Sequence, residues 1–353
     1  MSAPPTAPAG SRRIGKVGAG LHPIAAAVAP SGHFLYVANW GSHTVSAFRI
    51  DRLSGLVSPI DAPPVGAGRW PHSLAVHPSG RFLYAANGDT NDVSGYAIDP
   101  STGALIELPD SRYAAGHHPE FVAVEPSGQF AYVGNGFGGD ICGYRIDEAT
   151  GRLRAMAESP FAAGQKPLAL AIEPGGRFAY LANRRSDIWG YRIDHGRLRP
   201  FSNPFPAGRG PTAIAADPSG RFVYAANFKS DEISGFHIDP HTGHLRELPG
   251  APYRSGGSVP IAVSADPLGE FLYVANGESD NISGFRINPS NGELAMISDA
   301  KWDGARMPCS VAIEPSGRYL YSTNWLSNDV CCWTIERPTG ALRAIDAAPD
   351  AVP

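Results

Sequence analysis

An asparagine recurs along this chain at a nearly constant interval, each time at the end of the same short motif. The clearest copy, residues 78–87, reads PSGRFLYAAN. The repeated residues are Asn39, Asn87, Asn135, Asn183, Asn227, Asn276 and Asn324, separated by 48, 48, 48, 44, 49 and 48 residues. A fixed period of this length indicates a repeat protein whose copies each form one supersecondary unit. A residue type present in every copy is then structural, and one present in a single copy is a candidate for function.

The seven units fill residues 18–346 and leave no room for a second domain. The 41 glycines and 33 prolines recur in register with the repeat, so they mark turns and not disorder. We therefore predict one domain over residues 18–346. Residues 1–17 form an N-terminal tail, in which residues 12–17 can add a closing strand, and residues 347–353 form a C-terminal tail.

Composition excludes several classes of partner. The formal net charge of −4 creates no overall field that attracts nucleic acid or anionic membranes. No apolar run approaches transmembrane length, and residues 1–11 lack a signal-peptide pattern. Cys331 and Cys332 are adjacent, which disfavours a disulfide framework and suits a reducing compartment. We expect a cytoplasmic protein that binds neither nucleic acid nor membrane; the oligomeric state stays open.

Within each copy, apolar residues alternate with polar ones, which is typical of strands and not of helices. In the second copy the four predicted strands are residues 73–77, 82–86, 93–98 and 105–108. The second strand of every copy carries two aromatic residues two positions apart: Phe34/Tyr36, Phe82/Tyr84, Phe130/Tyr132, Phe178/Tyr180, Phe222/Tyr224, Phe271/Tyr273 and Tyr319/Tyr321. Side chains two apart share one face of a sheet, so these pairs are predicted to pack against the neighbouring sheet.

Seven four-stranded units without helical patterns predict an all-β protein, a seven-bladed β-propeller of four-stranded antiparallel blades. The first strand of each blade then lines the central channel. Turns such as residues 78–80 and 99–103 gather on one face, called the bottom, and the Asn-ended second strands open at the top. Blade seven supplies its own fourth strand at residues 342–345, so the sequence leaves open how the ring closes.

The repeat PSGRFLYxAN followed by VSGYxIDPxTGxL resembles the seven-bladed propeller lactonase family, which includes 6-phosphogluconolactonases and 3-carboxymuconate cyclases. The resemblance covers nearly the whole chain and implies the propeller fold. Hydrolases of that family carry a Pro-Arg-His run before one inner strand and an Asn-Glu pair after the next strand. Neither occurs here, and only His72-Ser73 is similar to the family's His-Ser entry. The family's sugar-lactone chemistry is therefore not transferred to this chain by the resemblance.

The bottom face is uniform and the top face is not. A His or carboxylate precedes the turn proline in six copies, at His77, Glu125, Glu173, Asp217, Asp266 and Glu314. These groups either cap their own turns or form a ring for a cation, and capping is the favoured interpretation. The repeated asparagines are predicted to fix the loop after the second strand. Function is expected on the top face, where the copies diverge.

Imidazoles come from blades one to three and fixed positive charge from blades four and five. The predicted catalytic residues are His72, Glu120 and His118. The predicted substrate-binding residues are Lys166, Arg209, Arg184, Trp70, Phe137, Arg306 and Cys309. A neutral imidazole can remove a proton or activate water while cations orient an anion, so this combination suits a small anionic substrate.

Three functions remain open from the sequence. The first is a lactonase-like hydrolase that opens a small anionic lactone, with His72 or His118 as base, Glu120 orienting or reprotonating, and Lys166 with Arg209 holding the anion. The second is a cyclase or isomerase of a specialised metabolite. The third is a non-catalytic ligand- or protein-binding propeller. No cofactor is predicted, and no metal either, because the spacing of His72, His117, His118 and Glu120 matches no standard motif.

Overall fold

Seven antiparallel sheets form a ring in the computed structural model, which describes residues 15–297 and 306–345. Every element in these two ranges is a strand. The predicted seven-bladed β-propeller is confirmed. No helix in the described part of the chain has the length and apolar character needed to cross a membrane.

The blades share one plan of four strands. The inner strands, which line the channel, are Pro23–Val28, Pro71–Val76, Pro119–Val124, Pro167–Ile172, Pro211–Ala216, Pro260–Ala265 and Pro308–Ile313. The second strands are Phe34–Asn39, Phe82–Asn87, Phe130–Asn135, Phe178–Asn183, Phe222–Asn227, Phe271–Asn276 and Tyr319–Asn324. The third strands are Thr44–Ile50, Asp92–Ile98, Asp140–Ile146, Asp187–Asp194, Glu232–Ile238, Asn281–Ile287 and Asp329–Ile335.

The outer strand is the irregular one. Its lower piece is Val57–Pro59, Leu153–Ala155, Arg197–Pro200, Leu245–Glu247, Leu294–Met296 or Leu342–Ala344, in blades one and three to seven. A separate upper piece follows in four blades: Val65–Gly66, Phe161–Ala162, Phe205–Pro206 and Tyr253–Arg254. In blade two the outer strand is continuous, Leu105–Ala114, with a register shift between Glu107 and Arg112. The sequence predicted only its first part, because the apolar alternation ends at Leu108.

The chain start joins the last blade. Lys16–Gly18 pairs antiparallel with the third strand of blade seven, Val17 lying opposite Val330. It occupies the position that Val65–Gly66 occupies in blade one, beside the top end of the third strand. The lower piece in blade seven, Leu342–Ala344, comes from the C-terminal end. Both ends of the described chain therefore contribute to one outer strand.

The core consists of seven apolar clusters, each shared by two neighbouring blades. Between blades two and three, for example, Phe82 and Tyr84 pack with Val122 and Val133. In every blade the second-strand tyrosine also donates its hydroxyl hydrogen to a glycine carbonyl in the bottom turn of the next blade. These pairs are Tyr36–Gly103, Tyr84–Gly151, Tyr132–Gly196, Tyr180–Gly243, Tyr224–Gly292, Tyr273–Gly340 and Tyr321–Gly55. The predicted packing of the aromatic pairs against the neighbouring sheet is confirmed.

The bottom carboxylates cap their own turns. Glu125 accepts the backbone N–H groups of Ser127 and Gln129, each at 2.9 Å. Asp217 likewise accepts the N–H groups of Arg221 and Phe222. The capping interpretation therefore accounts for these groups through local hydrogen bonds.

The buried tyrosine bond predicts a measurable loss of stability. Tyr180 is fully buried and its hydroxyl lies 2.7 Å from the Gly243 oxygen. We expect Tyr180→Phe to lower the free energy of unfolding by about 1–2 kcal/mol, because the buried carbonyl loses its donor. Denaturant unfolding followed by circular dichroism measures the change.

The matched control is Tyr253→Phe, whose hydroxyl bonds to the Pro249 carbonyl in an exposed position. We expect its effect to stay below about 0.5 kcal/mol. Equal losses in the two variants would show that the tyrosine bond between blades contributes nothing beyond a surface contact.

Candidate functional site

Every inner strand is entered through a residue in the left-handed backbone region. These entry residues, which precede the strand's proline, are His22, Trp70, His118, Lys166, Gly210, Val259 and Met307, with φ between 52° and 70°. Only glycine adopts this region without cost; other residues lose roughly 1–2 kcal/mol. Six of the seven entry residues are not glycine, so the strain is tolerated only where the surroundings hold it.

A hydrogen bond from the preceding blade holds the entry residue. The loop after each second strand ends in another left-handed residue: His43, Asn91, Gly139, Ser186, Asp231, Asp280 and Asn328. In six blades its side chain accepts the N–H of the next blade's entry residue. The pairs are Asn328–His22, His43–Trp70, Asn91–His118, Ser186–Gly210, Asp231–Val259 and Asp280–Met307. We call this contact the entry latch. Gly139 has no side chain, so Lys166 enters blade four without one.

The residue after each entry proline is an extra residue in its strand. The pairing with the second strand shifts there in every blade, for example between Pro71 and Ser73 and between Pro119 and Phe121. These bulge residues are Ile24, His72, Glu120, Leu168, Thr212, Ile261 and Cys309. A bulge re-aims a side chain, and bulges are frequent beside active sites. The only titratable side chains at these seven positions are His72, Glu120 and Cys309.

Two glycines make room for the functional bulge residues. Gly88 follows the second strand of blade two, and a Cβ there would lie 2.7 Å from His72 Cδ2 and 3.2 Å from His118 Cε1. Gly136 is its counterpart in blade three, where a Cβ would lie 2.6 Å from Glu120 Cγ. Blades one, four, five and seven carry Trp40, Arg184, Phe228 and Trp325 at this position, and blade six carries Gly277, which lies against Ile261. Among the described residues, space beside a titratable bulge residue therefore occurs only in blades two and three.

The three predicted catalytic residues meet at the junction of these blades. His118 Nδ1 lies 3.2 Å from Glu120 Oε1, and His72 Nδ1 lies 3.7 Å from Glu120 Oε2. The two imidazole rings are 5.1 Å apart. Each side chain is only 13–16% exposed. We call His72, His118 and Glu120 the top triad.

Burial and neighbouring charge set the protonation of the top triad. Burial, together with the smaller electrostatic effects of His118 and Lys166, lowers the pKa of His72 to about 4. His72 is therefore neutral at neutral pH. Burial also raises the pKa of Glu120 above its ordinary value, while His118 and Lys166 act against that shift. A neutral imidazole beside a carboxyl of raised pKa is a typical arrangement for proton transfer.

A basic cleft of about 590 Å³ opens beside Glu120. It is lined by Gly136, Phe137, Gly138, Gly139, Gln165, Lys166, Arg184, Arg185 and Lys229. Phe137 is 57% exposed and contacts His118 at 4.3 Å between ring centroids. Lys166 Nζ lies 5.2 Å from the centroid of the Phe137 ring. The cleft thus lies where Gly139 leaves out the entry latch.

The opposite side of the mouth is filled by aromatic rings. Trp40 and Trp70 stack with centroids 5.0 Å apart, and Trp325 lies 5.2 Å from Trp40. His22 stacks on Trp325 at 4.5 Å. Trp70 also reaches His118, at 6.4 Å. The basic cleft lies away from these rings, lined by residues of blades three to five.

The other predicted substrate contacts lie outside this group. Arg209 is exposed, is not among the cleft-lining residues, and donates to the Lys229 carbonyl at 3.4 Å. Arg306 is exposed in blade seven. Cys309 is buried, and burial raises the pKa of its thiol to about 12, so it stays protonated. Arg184 and Lys166, in contrast, line the cleft together.

Sequence reasoning missed two kinds of residue. The first is the pair of glycines, Gly88 and Gly136, which were seen only as following the repeated asparagine. The second is the entry latch, with Asn91 next to the top triad. The signal was present in the repeat: the glycines stand one residue after the repeated asparagine, and the entry residues stand one residue before the entry proline. The residues that end the loop stand four residues after the asparagine, or three in blade four. A single copy does not show that these positions touch across blades.

The chain matches one known protein family along most of its length. The family model "Lactonase, 7-bladed beta-propeller" matches residues 20–123, 105–259, 194–301 and 251–352. No curated protein matches the chain significantly.

Solved structures share the fold. A candidate 6-phosphogluconolactonase of Bacteroides fragilis superposes with a TM-score of 0.76 at 20% identity, over 88% of this chain and 93% of that one. Its counterpart from Bacteroides uniformis gives 0.72 at 22% identity, over 85% and 90%. The periplasmic gluconolactonase PpgL of Pseudomonas aeruginosa gives 0.69 at 22% identity, over 80% and 86%. At these identities the likeness concerns the fold. Because the family model spans nearly the whole sequence, the chain belongs to the seven-bladed β-propeller lactonase family.

Proposed function

We propose that the protein is a hydrolase that opens a small anionic lactone at the top of the propeller. The observation that carries this proposal is the top triad, in which a neutral imidazole and a carboxyl of raised pKa adjoin a basic cleft. Family membership and the three gluconolactonase-type neighbours support the substrate class.

The reaction needs one proton acceptor and one proton donor. His72 takes a proton from water as the water oxygen attacks the lactone carbonyl carbon. The tetrahedral intermediate then expels the ring oxygen, and the Glu120 carboxyl, in its protonated form, supplies a proton to that oxygen. His118 lies 3.2 Å from Glu120 and acts electrostatically on its carboxyl group. Such positioned acid–base groups typically contribute about 10²–10⁴-fold in rate.

The cleft explains a preference for an anion. Lys166 and Arg184, whose charges act on Glu120, line the cleft together with Arg185 and Lys229. A carboxylate or phosphate on the substrate would bind these cations, and the carbonyl would then lie toward the top triad. Arg184 thereby takes the role that the sequence assigned to Arg209. Phe137 offers an apolar edge for the ring.

Two measurements test the proposal: the substrate preference of the protein and the effect of removing the base. We expect chelator-treated protein to hydrolyse carboxylated or phosphorylated lactones faster than neutral ones of the same ring size. His72→Ala should lower kcat by about 10²–10⁴-fold. Product mass, one water heavier than the substrate, separates hydrolysis from isomerisation.

The control is His241→Ala, an exposed histidine in a bottom turn, which should leave the rate unchanged. No turnover of any lactone by the wild-type protein would contradict the proposal, as would full activity of His72→Ala.

The glycine beside the base provides a second test. Gly88→Ala introduces a Cβ 2.7 Å from His72 Cδ2, so the imidazole must move. We expect kcat to fall about 10²-fold, because displacement of a reacting group by about 1 Å has that effect. Circular dichroism and the melting midpoint show whether the fold is retained.

Gly277→Ala is the matched control, since Gly277 is the equivalent residue in blade six. Its new Cβ would meet Ile261 Cδ1, the far end of a flexible side chain distant from the top triad. Similar losses of activity in both variants would indicate a general effect on the fold and would remove Gly88 as a positioning residue.

A further inference from the structure

The top triad has the ligand types and spacing of a metal site. One ligand atom from each of His72, His118 and Glu120 lies within 4.8 Å of the others. The Glu120 carboxylate lies 3.2 Å from His118 Nδ1 and 3.7 Å from His72 Nδ1. Ligands of a tetrahedral zinc ion lie about 3.3 Å apart, because each is about 2.0–2.1 Å from the ion. The two contacts to the carboxylate are close to this value, and no separation among the three ligand atoms exceeds 4.8 Å.

Two imidazole nitrogens in the triad are unsatisfied. His72 Nε2 and His118 Nδ1 are buried and have no hydrogen-bond partner among the described residues. The 3.2 Å contact of His118 Nδ1 with Glu120 is close but does not have hydrogen-bond geometry. A buried nitrogen without a partner is costly, and a bound ion is one explanation for such an atom in a native site.

The backbone already aims these groups at one point. His118 and Glu120 flank Pro119 at the entry of blade three, one in the left-handed region and the other at the bulge. His72 is the bulge residue of the preceding blade. Gly88 and Gly136 leave the space that these side chains occupy. A site built on strained backbone and bulges is fixed before any ligand arrives.

We propose that His72, His118 and Glu120 bind a zinc ion and leave its fourth position open to water. Two imidazoles and one carboxylate are the ligand set of many zinc sites with an open position. Calcium and magnesium are disfavoured, because they require mainly oxygen ligands. The ligands come from two blades, which is why no standard spacing appears in the sequence. Lys166 opposes a cation, but its ammonium group lies over the Phe137 ring.

Zinc binding and hydrolysis by the metal-free protein use the His72 lone pair differently. A lone pair of His72 that binds zinc cannot also accept a proton, so hydrolysis by the zinc-loaded protein would use metal-bound hydroxide. The metal-free protein uses His72 itself. The zinc site therefore deepens the proposed function where both hold, and its own test needs no turnover.

The test uses chelator-stripped full-length protein. Zinc binding is measured by calorimetry and by metal analysis after gel filtration into metal-free buffer, with cobalt as a coloured substitute that reports tetrahedral coordination. We expect one ion per chain and visible cobalt bands. Glu120→Gln and His72→Ala should weaken binding at least about 100-fold, the upper end of what loss of a mere outer-shell partner costs.

His117→Ala is the matched control, because His117 adjoins His118 but is exposed and outside the triad. It should bind zinc as the wild type does. The proposal is overturned if no ion is retained, or if Glu120→Gln, which preserves side-chain shape, binds as tightly as wild type. Zinc binding without turnover would refute the hydrolase and not the metal site. Turnover without zinc binding would refute the metal site and not the hydrolase.

Discussion

The top face depends on one hydrogen bond between neighbouring blades, the entry latch. A loop side chain such as Asn91 accepts the N–H of His118, the residue that leads into the next inner strand. The latch holds that residue in a backbone region that costs roughly 1–2 kcal/mol for any residue except glycine. Because the donor is backbone, the side chain at the entry position is free to vary. Histidine, tryptophan, glycine, valine and methionine all stand at latched entry positions without changing the ring.

Packing and chemistry are thereby separated along the axis. The lower half of the ring is nearly uniform: a tyrosine hydroxyl bonds each blade to the next, and carboxylates cap the bottom turns of blades three to seven. The upper half combines the entry residue, the bulge residue after the proline and the residue after the repeated asparagine. In blades two and three, the bulge residues are His72 and Glu120, with glycine beside each. Polarity and space thus coincide at one junction, and the basic cleft begins next to it.

The sequence predicted the fold because its strongest signal, the period of about 48 residues, is itself the architecture. It also brought His72 and Glu120 together, since equivalent positions of adjacent copies must be neighbours around the axis. It could not rank the cations. Arg209 and Lys166 both stand near an inner-strand entry, but which side chain faces the cleft depends on loop conformation. The role of Gly88 could not be predicted either, because its missing side chain matters only through the space that it leaves for His72.

The entrance to blade four shows the effect of losing one entry latch. Gly139 has no side chain to accept the Lys166 N–H, and the basic cleft opens between blades three and four. The other six entry latches among the described residues are present. A sevenfold ring tolerates this omission because the apolar clusters and tyrosine hydrogen bonds between the blades still stabilise the fold. Each boundary between repeated blades can therefore lose its top contact independently. A new ligand-binding site can arise at one boundary while the other blades keep their structure.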